Sequence, residues 1–94
     1  MDFEVAVGQS ERHTVRYVFD KTWGRVTISV DGQRVQRRLH IFSLTPVRRY
    51  RLTVGEQERH NVLIEKRRKM VAAGARAQVC TVYVDGQFVG QYED

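Results

Sequence analysis

The stretch Val26-Thr-Ile-Ser-Val-Asp-Gly-Gln-Arg-Val35 has a close counterpart later in the chain, Cys80-Thr-Val-Tyr-Val-Asp-Gly-Gln-Phe-Val89. In both copies, apolar residues alternate with other residues up to an Asp-Gly pair, and apolar residues resume after it. This alternation is typical of a half-buried β-strand. Asp-Gly suits the two central positions of a type I′ turn, which require positive φ angles. Each copy therefore predicts a tight β-hairpin.

The pairing of the two strands predicts which face of each hairpin points into the core. With a two-residue loop, Ile28 lies opposite Val35, and Val82 lies opposite Val89. Because these apolar pairs occupy equivalent places in the two hairpins, we expect them to mark the buried face. Cys80 falls on the same face and is expected to be a small buried thiol.

A second repeated motif precedes each hairpin. Glu11-Arg-His-Thr-Val15 is echoed 47 residues later by Glu58-Arg-His-Asn-Val62, whereas the two VDGQ motifs are 54 residues apart. Each copy predicts a strand, a connection and a hairpin, and such duplication indicates two related halves that bury a common core. We expect a single domain over residues 1–94, with repeat units at about 11–38 and 58–92.

The rest of the chain continues the strand pattern. Short runs rich in Val, Ile, Thr and Tyr are separated by Gly, Asp, Ser and Pro, a spacing that predicts antiparallel strands. The predicted strands cover residues 2–7, 13–19, 25–30, 33–42, 48–54, 60–66, 78–84 and 87–92. We therefore expect an all-β protein, an antiparallel β-sandwich of about eight short strands.

Residues 65–74, with the sequence EKRRKMVAAG, are the exception to this pattern. They are rich in helix formers and end at a glycine placed like a helix C-cap. The segment allows only about two helical turns, too few for a stable independent helix. We interpret it as a long hairpin loop with at most one helical turn.

The basic charge is concentrated in the middle of the chain. The formal net charge is +5, and residues 34–76 contain twelve Arg or Lys against three Asp or Glu. Two interpretations stay open. Thirteen arginines against three lysines can reflect the coding bias of a GC-rich genome, or the basic segment can serve an anionic partner.

Several features favour a cytoplasmic protein without a membrane partner. No apolar run approaches the roughly 20 residues of a membrane span. The first residues, Met-Asp-Phe-Glu-Val, are acidic where a secretory signal is basic. The single cysteine, Cys80, cannot form an internal disulfide framework.

The faces opposite the predicted core differ between the two hairpins. The first shows polar side chains, whereas the second shows a set that includes aromatic residues: Val79, Thr81, Tyr83, Phe88 and Tyr92. Either the strand Phe3–Val7 or the 65–74 loop covers these aromatic side chains, or they form an interaction surface. Tyr83, Phe88 and Tyr92 are therefore the candidate surface for binding another protein or a second copy of the chain.

No residue pattern indicates catalysis, a cofactor or a metal. VDGQ offers a single carboxylate, whereas calcium loops need several oxygen ligands at alternate positions. His13 and His60 are repeat equivalents at strand starts, without Cys or His at ligand spacing, so a structural role is favoured over ligation. Nucleophile elbows and phosphate-binding glycine loops are absent from the sequence. We expect no enzymatic activity and no small-molecule substrate.

An alternative function is the binding of nucleic acid or another polyanion by a basic patch. The candidate patch consists of Arg34, Arg37, Arg38, Arg48, Arg49, Arg51, Lys66, Arg67, Arg68 and Lys69. Phe42 and Tyr50 could stack on bases. The aromatic residues do not interleave with the basic ones in a recognisable binding signature, so this function ranks second.

The order of the elements resembles the Fas apoptotic inhibitory molecule family. The residues that carry the resemblance, spread over nearly the whole chain, are Phe3–Val7, His13–Phe19 before the Trp-Gly turn, Val30-Asp-Gly32, Leu39–Leu44, Tyr50–Gly55, Tyr83–Gly86 and Tyr92-Glu93. The resemblance implies a compact antiparallel β-sandwich that is cytosolic, non-enzymatic and protein-binding. The chain departs from the family at Leu39 and His40, where the family has a tryptophan-bearing strand, and in its arginine-rich segment 65–76. Because the chain is rich in arginine, it resembles a bacterial relative within this family.

Overall fold

In a computed structural model of the chain, residues 1–20, 24–39, 47–70 and 76–93 are described. Their regular structure consists of eight β-strands. The strands are β1 (Asp2–Val7), β2 (His13–Asp20), β3 (Arg25–Val30), β4 (Gln33–Leu39), β5 (Val47–Val54), β6 (His60–Met70), β7 (Arg76–Val84) and β8 (Gln87–Glu93). No described residue is helical.

The strands form two four-stranded antiparallel sheets of the same simple topology. The first sheet has the order β1-β2-β3-β4 and the second the order β5-β6-β7-β8. Contacts divide the chain into two compact units; the segment Val54–Arg59 belongs with β1 to β4, and the rest of β5 belongs with β6 to β8. The predicted fold class, an antiparallel all-β protein of about eight short strands with an internal repeat, is confirmed. That the two units form a single domain stays a prediction.

Period-two alternation explains the core of the first unit. On β2, Val15, Tyr17 and Phe19 are buried while the residues between them are at least partly exposed. Phe3 lies opposite Tyr17, and their rings stack with centroids 5.0 Å apart. Ile28 extends this buried row onto β3. Each such side chain contributes about 1.5–3 kcal/mol through removal from water.

The second unit repeats this arrangement with different residues. Its buried side chains are Tyr50, Val62, Ile64, Lys66, Val79, Cys80 and Val82. The prediction that Cys80 is a buried thiol is confirmed, since none of its surface is exposed. Tyr50 stands 47 residues after the buried Phe3, so the correspondence of the two units includes an aromatic residue in the core.

The Asp-Gly pairs form the predicted two-residue turns. Asp31 and Gly32 have φ angles of 51° and 83°, and Asp85 and Gly86 have 52° and 81°. These values match a type I′ turn, in which both central residues have positive φ. Val30 pairs with Gln33 across the first turn, as the turn requires.

The predicted pairs Ile28/Val35 and Val82/Val89 are wrong. A β-bulge follows each turn, so that Ile28 lies opposite Gln36 and Val82 lies opposite Gly90. Val35 and Val89 are the extra residues, and they are 50% and 48% exposed. Of the four residues in the two predicted pairs, only Ile28 and Val82 are fully buried. A bulge adds one residue to one strand, and every later side chain on that strand therefore changes face.

The turn aspartates also attach each hairpin to the strand before it. The Asp31 carboxylate accepts hydrogen bonds from the Thr14 amide at 2.8 Å and from Nδ1 of His13 at 2.5 Å. In the second unit, Asp85 accepts from the Asn61 amide at 2.9 Å and from Nδ1 of His60 at 2.6 Å. The two histidines hold the turns in place, which agrees with the structural role predicted for them.

The glutamates of the ERH motifs bind the backbone amides of two loops in the first unit. Glu11 accepts hydrogen bonds from the amides of Glu56 and Gln57 at 2.7 and 3.0 Å. Glu58 accepts from the amides of Gln9 and Ser10 at 2.7 and 3.2 Å. The arrangement is reciprocal, because each carboxylate satisfies the loop amides that precede the other.

The interpretation of residues 65–74 as a hairpin loop is wrong for their first part. β6 continues to Met70, and residues 65–70 pair with β7 from Thr81 to Arg76. The pairing overrides the weak helix preference of this segment, because each residue of β6 gains a partner on β7. Residues 71–74 lie outside the described residues.

Candidate functional site

On the face opposite its core, the second sheet carries a row of apolar side chains that crosses three strands, two half-buried and one exposed. Leu63 on β6 lies opposite Tyr83 on β7, and Tyr83 lies opposite Phe88 on β8. The rings of Tyr83 and Phe88 meet edge to face, with centroids 6.4 Å apart and an interplanar angle of 76°, a preferred aromatic geometry. Phe88 is 62% exposed. We call Leu63, Tyr83 and Phe88 the apolar row.

The first sheet carries a polar row at the equivalent positions. Arg16 on β2 lies opposite Ser29 on β3, and Ser29 lies opposite Arg34 on β4. The spacing of the ERH and VDGQ motifs makes these three residues the counterparts of the apolar row. The same turn and the same bulge accompany both rows, so the common architecture does not require apolar side chains there.

An open pocket of about 510 Å³ lies beside the apolar row, within the second unit. Its volume falls in the range of about 300–1,000 Å³ that is usual for ligand pockets. Its wall includes residues of three adjacent strands, β5, β6 and β7: Arg51, Thr53, Asn61, Leu63, Glu65 and Tyr83. The apolar row therefore continues into a concave surface with polar groups at its border.

The charges around the pocket are predominantly positive. Glu65 accepts hydrogen bonds from Nε of Arg67 at 3.0 Å and from Nε of Arg49 at 3.2 Å. The Arg67 guanidinium, assisted by Arg49, holds the pKa of Glu65 below its usual value, although partial burial opposes the shift. Glu65 thus stays ionised beside two arginines, and Arg51 adds a third guanidinium at the pocket wall.

Two of the three predicted interaction residues lie together, and the third does not. Tyr83 and Phe88 are in ring contact on the exposed face. Tyr92 was predicted for the same face, but it lies opposite the buried Cys80 and its ring covers Gly90. The bulge at Val89 causes this difference, because it reverses the facing of every later residue on β8. The alternative in which Phe3–Val7 or the 65–74 segment covers the aromatic side chains is wrong for Phe88, because Phe88 is exposed.

The structure divides the predicted anion-binding patch. Lys66 is only 2% exposed and cannot belong to a surface patch. Arg34 lies on the first sheet, and Arg48 and Arg68 alternate with the exposed positions of β5 and β6. The side chains of Arg37, Arg38 and Lys69 lie outside the described residues. The exposed face of the second sheet keeps three of the predicted residues: Arg49, Arg51 and Arg67.

The predicted base-stacking residues do not support the polyanion alternative. Tyr50 is 4% exposed, so its ring cannot stack on a base. The alternation of the sequence places Tyr50 on the same face as the buried Val54, although an exposed arginine stands on either side of it. Phe42 lies outside the described residues.

The described residues hold no metal-binding group of three or more His, Cys, Asp or Glu side chains. Glu11, His13 and Asp31 come close to one, but the imidazole lies between the carboxylates. Its Nε2 is 2.6 Å from Glu11 and its Nδ1 is 2.5 Å from Asp31. Both ring nitrogens are therefore committed to hydrogen bonds, whereas a metal ligand needs a free lone pair.

The pocket and Leu63 are the parts of this site that the sequence analysis missed. Leu63 could have been found by aligning the two ERH motifs, which places it against Arg16. No sequence pattern indicates the pocket, because residues of three strands, β5, β6 and β7, form its wall together.

Comparison with known proteins adds no relative: no family model, no curated protein and no solved structure matches the chain. In the part of the chain that the structure describes, no helix has the length and apolar character of a membrane span.

Proposed function

We propose that this protein is a non-catalytic interaction domain that binds another protein through the exposed face of its second sheet. The observation that carries the proposal is the apolar row, Leu63, Tyr83 and Phe88, at positions where the first sheet has arginine and serine. Exposed single apolar residues are common on protein surfaces. Three adjacent apolar side chains beside a pocket, one exposed and two half-buried, are characteristic of an interaction site.

The residue types support protein binding in particular. Tyrosine, arginine and phenylalanine are enriched at the centres of protein interfaces, where they fill pockets and exclude water. Here Tyr83 and Phe88 support each other by ring contact, so they lose little side-chain freedom on binding. Arg51 stands at the edge of the same pocket.

The state of the reactive side chains supports a non-catalytic role. The Cys80 thiol is fully buried, whereas a reactive cysteine needs access and a positive environment. His13 and His60 bind the turn aspartates. A cytoplasmic location and membership of the Fas apoptotic inhibitory molecule family are part of the same proposal; the lone thiol and the order of elements support them.

The test replaces the apolar row by the residues of the first sheet. The variant Leu63→Arg, Tyr83→Ser, Phe88→Arg places at each position a residue that the equivalent position already holds. A photo-reactive phenylalanine analogue at position 88 is compared with the same analogue at position 34, in native lysate with and without nuclease treatment. A protein captured at position 88 is then purified and titrated against wild type and the variant.

We expect cross-linking at position 88 only, and binding to the variant weakened at least about tenfold, since central interface residues typically cost more than 1 kcal/mol each on truncation. Equal binding of the captured protein to wild type and the variant would show that the site is wrong. Capture that disappears on nuclease treatment would favour the polyanion alternative. A captured second copy of the chain would identify self-association.

A further inference from the structure

The pocket beside Tyr83 indicates which kind of segment the partner presents to this protein. We propose that it receives an extended acidic segment of the partner, with an Asp or Glu side chain at Arg51 and an adjoining apolar side chain against Leu63 and Tyr83. This inference rests on the proposed function and goes beyond it, because it specifies the chemistry that the partner must carry.

The volume and wall of the pocket fit an apolar side chain. The cavity of about 510 Å³ is bordered by Leu63 and Tyr83, the apolar and aromatic side chains that this face of β6 and β7 contributes to it. Burying one large apolar side chain there favours binding by removing that side chain from water. A group of this size fits the pocket while the chain on either side lies along the exposed sheet.

The charges on this face of the second sheet favour an acidic residue next to the partner's apolar side chain. Three guanidiniums, those of Arg49, Arg51 and Arg67, share this face with two carboxylates, those of Glu65 and Glu93. An incoming carboxylate meets net positive charge and can form a bidentate pair with a guanidinium. An incoming lysine or arginine at the pocket meets Glu65, whose carboxylate Arg49 and Arg67 already bind, so basic segments are disfavoured there.

The first sheet provides an internal comparison. Glu4 occupies the position that corresponds to Arg51, and Asp2 the position that corresponds to Arg49. Asp2 is bound by Arg16, whose Nε is 3.0 Å from its carboxylate. The same place in the two sheets thus carries opposite charge, and only the second combines positive charge with aromatic side chains. The preference for an acidic segment is therefore specific to the second sheet.

The experiment selects ligands from a displayed library of random twelve-residue peptides on the immobilised full-length protein. Selected peptides are titrated against wild type, Arg51→Glu, Tyr83→Ser and Arg34→Glu. Arg51→Glu and Tyr83→Ser introduce the residues found at the equivalent positions of the first sheet, so both are compatible with the fold. Arg34→Glu makes the same charge change on the first sheet and is the matched control. Circular dichroism and thermal unfolding establish that each variant is folded.

We expect the selected peptides to be enriched in Asp or Glu next to an aromatic or aliphatic residue. Arg51→Glu should weaken their binding about 30-fold or more, the effect of removing a partly desolvated charge partner. Tyr83→Ser should also weaken it, and Arg34→Glu should leave it unchanged.

Each other outcome contradicts a defined part of the proposal. Peptides that lose binding with Tyr83→Ser but show no acidic preference would overturn the inference and leave the proposed function standing. Peptides insensitive to both Tyr83→Ser and Arg51→Glu would overturn both. A selection without enriched peptides would overturn the inference, while the cross-linking at position 88 decides the proposed function separately.

Discussion

Leu63 and Ile64 are neighbours in the chain and have opposite roles in the molecule. Ile64 is fully buried on β6, and Leu63 lies on the exposed face opposite Tyr83. Lys66 follows Ile64 on the buried face and is 2% exposed. A single position along the strand therefore decides whether a large side chain contributes to stability or to a surface.

Ile64→Ala and Leu63→Ala should separate these two roles. Ile64→Ala removes buried methyl groups and leaves a cavity, and we expect it to lower the free energy of unfolding by about 2–5 kcal/mol. Leu63→Ala should lower it clearly less, because Leu63 is only half-buried, and should weaken partner binding. Urea unfolding monitored by circular dichroism measures both. A similar loss of stability in the two variants would contradict the assignment of faces.

The hairpin is the element that appears twice, and its turn and bulge act together. The Asp-Gly turn sets the register next to it, and the bulge at Val35 or Val89 then shifts the register by one residue. Both bulges lie on strands at the end of a sheet, β4 and β8. Bulged strands at a sheet edge are poor templates for pairing with another chain. Partner binding through a sheet face rather than by strand addition fits this arrangement.

Two glycines with positive φ should differ greatly in their response to alanine. Gly32 in the first turn has open space where a Cβ would stand, so Gly32→Ala should cost only the backbone strain of about 1–2 kcal/mol. At Gly8 a Cβ would clash with the Glu11 carbonyl oxygen and approach the Glu58 carboxylate within 2.7 Å. Gly8→Ala should therefore cost clearly more than Gly32→Ala. Thermal unfolding of the two variants measures the difference, and equal midpoints would contradict it.

At the scale of the whole molecule, the chain is built from two related units whose surfaces have diverged. The buried alternation, the Asp-Gly turns, the bulges and the histidine–aspartate bonds are common to both units. Charge and polarity differ on the exposed faces, as Glu4 and Arg51 illustrate. The shared features stabilise the fold, and the differences distinguish the proposed binding face.

Stability should depend on pH through the cluster of Glu11, His13 and Asp31. Hydrogen bonds that His13 donates, first to the Asp31 carboxylate and then to that of Glu11, raise the pKa of His13 above its usual 6.5. The stability from this shift is fully present below pH 6.5 and is lost as the pH rises through the raised value. The bond to His13, followed by the loop amides of Gln57 and Glu56, lowers the pKa of Glu11 from 4.5 to about 2. The stability from that shift is present above pH 4.5 and is lost as the pH falls towards 2.

The thermal midpoint should therefore be highest between about pH 4.5 and pH 6.5. Asp31→Asn removes the main partner of His13, and it should flatten the alkaline limb of the profile as well as the acid limb. Asp2→Asn is the matched control: the pKa of Asp2 is lowered by Arg16, which does not titrate in this range, so only the acid limb should change. Thermal unfolding from pH 2 to pH 9 measures both limbs. An unchanged alkaline limb in Asp31→Asn would contradict the role of the cluster.

The sequence by itself determined the features that depend on neighbouring residues. Alternation with period two predicts the strands, and Asp-Gly predicts the turns, because both follow from the local conformational preferences of the chain. The repeat of ERH and VDGQ predicts that the two halves share an architecture. The aromatic pair Tyr83 and Phe88 was identified because the two residues are adjacent across a turn of known length.

Only the tertiary structure decided the rest, because it depends on pairing between strands that are distant in sequence. The bulge at Val89 has no characteristic residue, yet it moves Tyr92 to the face of Cys80. The extension of β6 to Met70 depends on its pairing with β7, and it places Lys66 in the core rather than in a basic loop. The pocket needs three strands side by side. Each of these features follows from register and burial, which short-range sequence patterns do not contain.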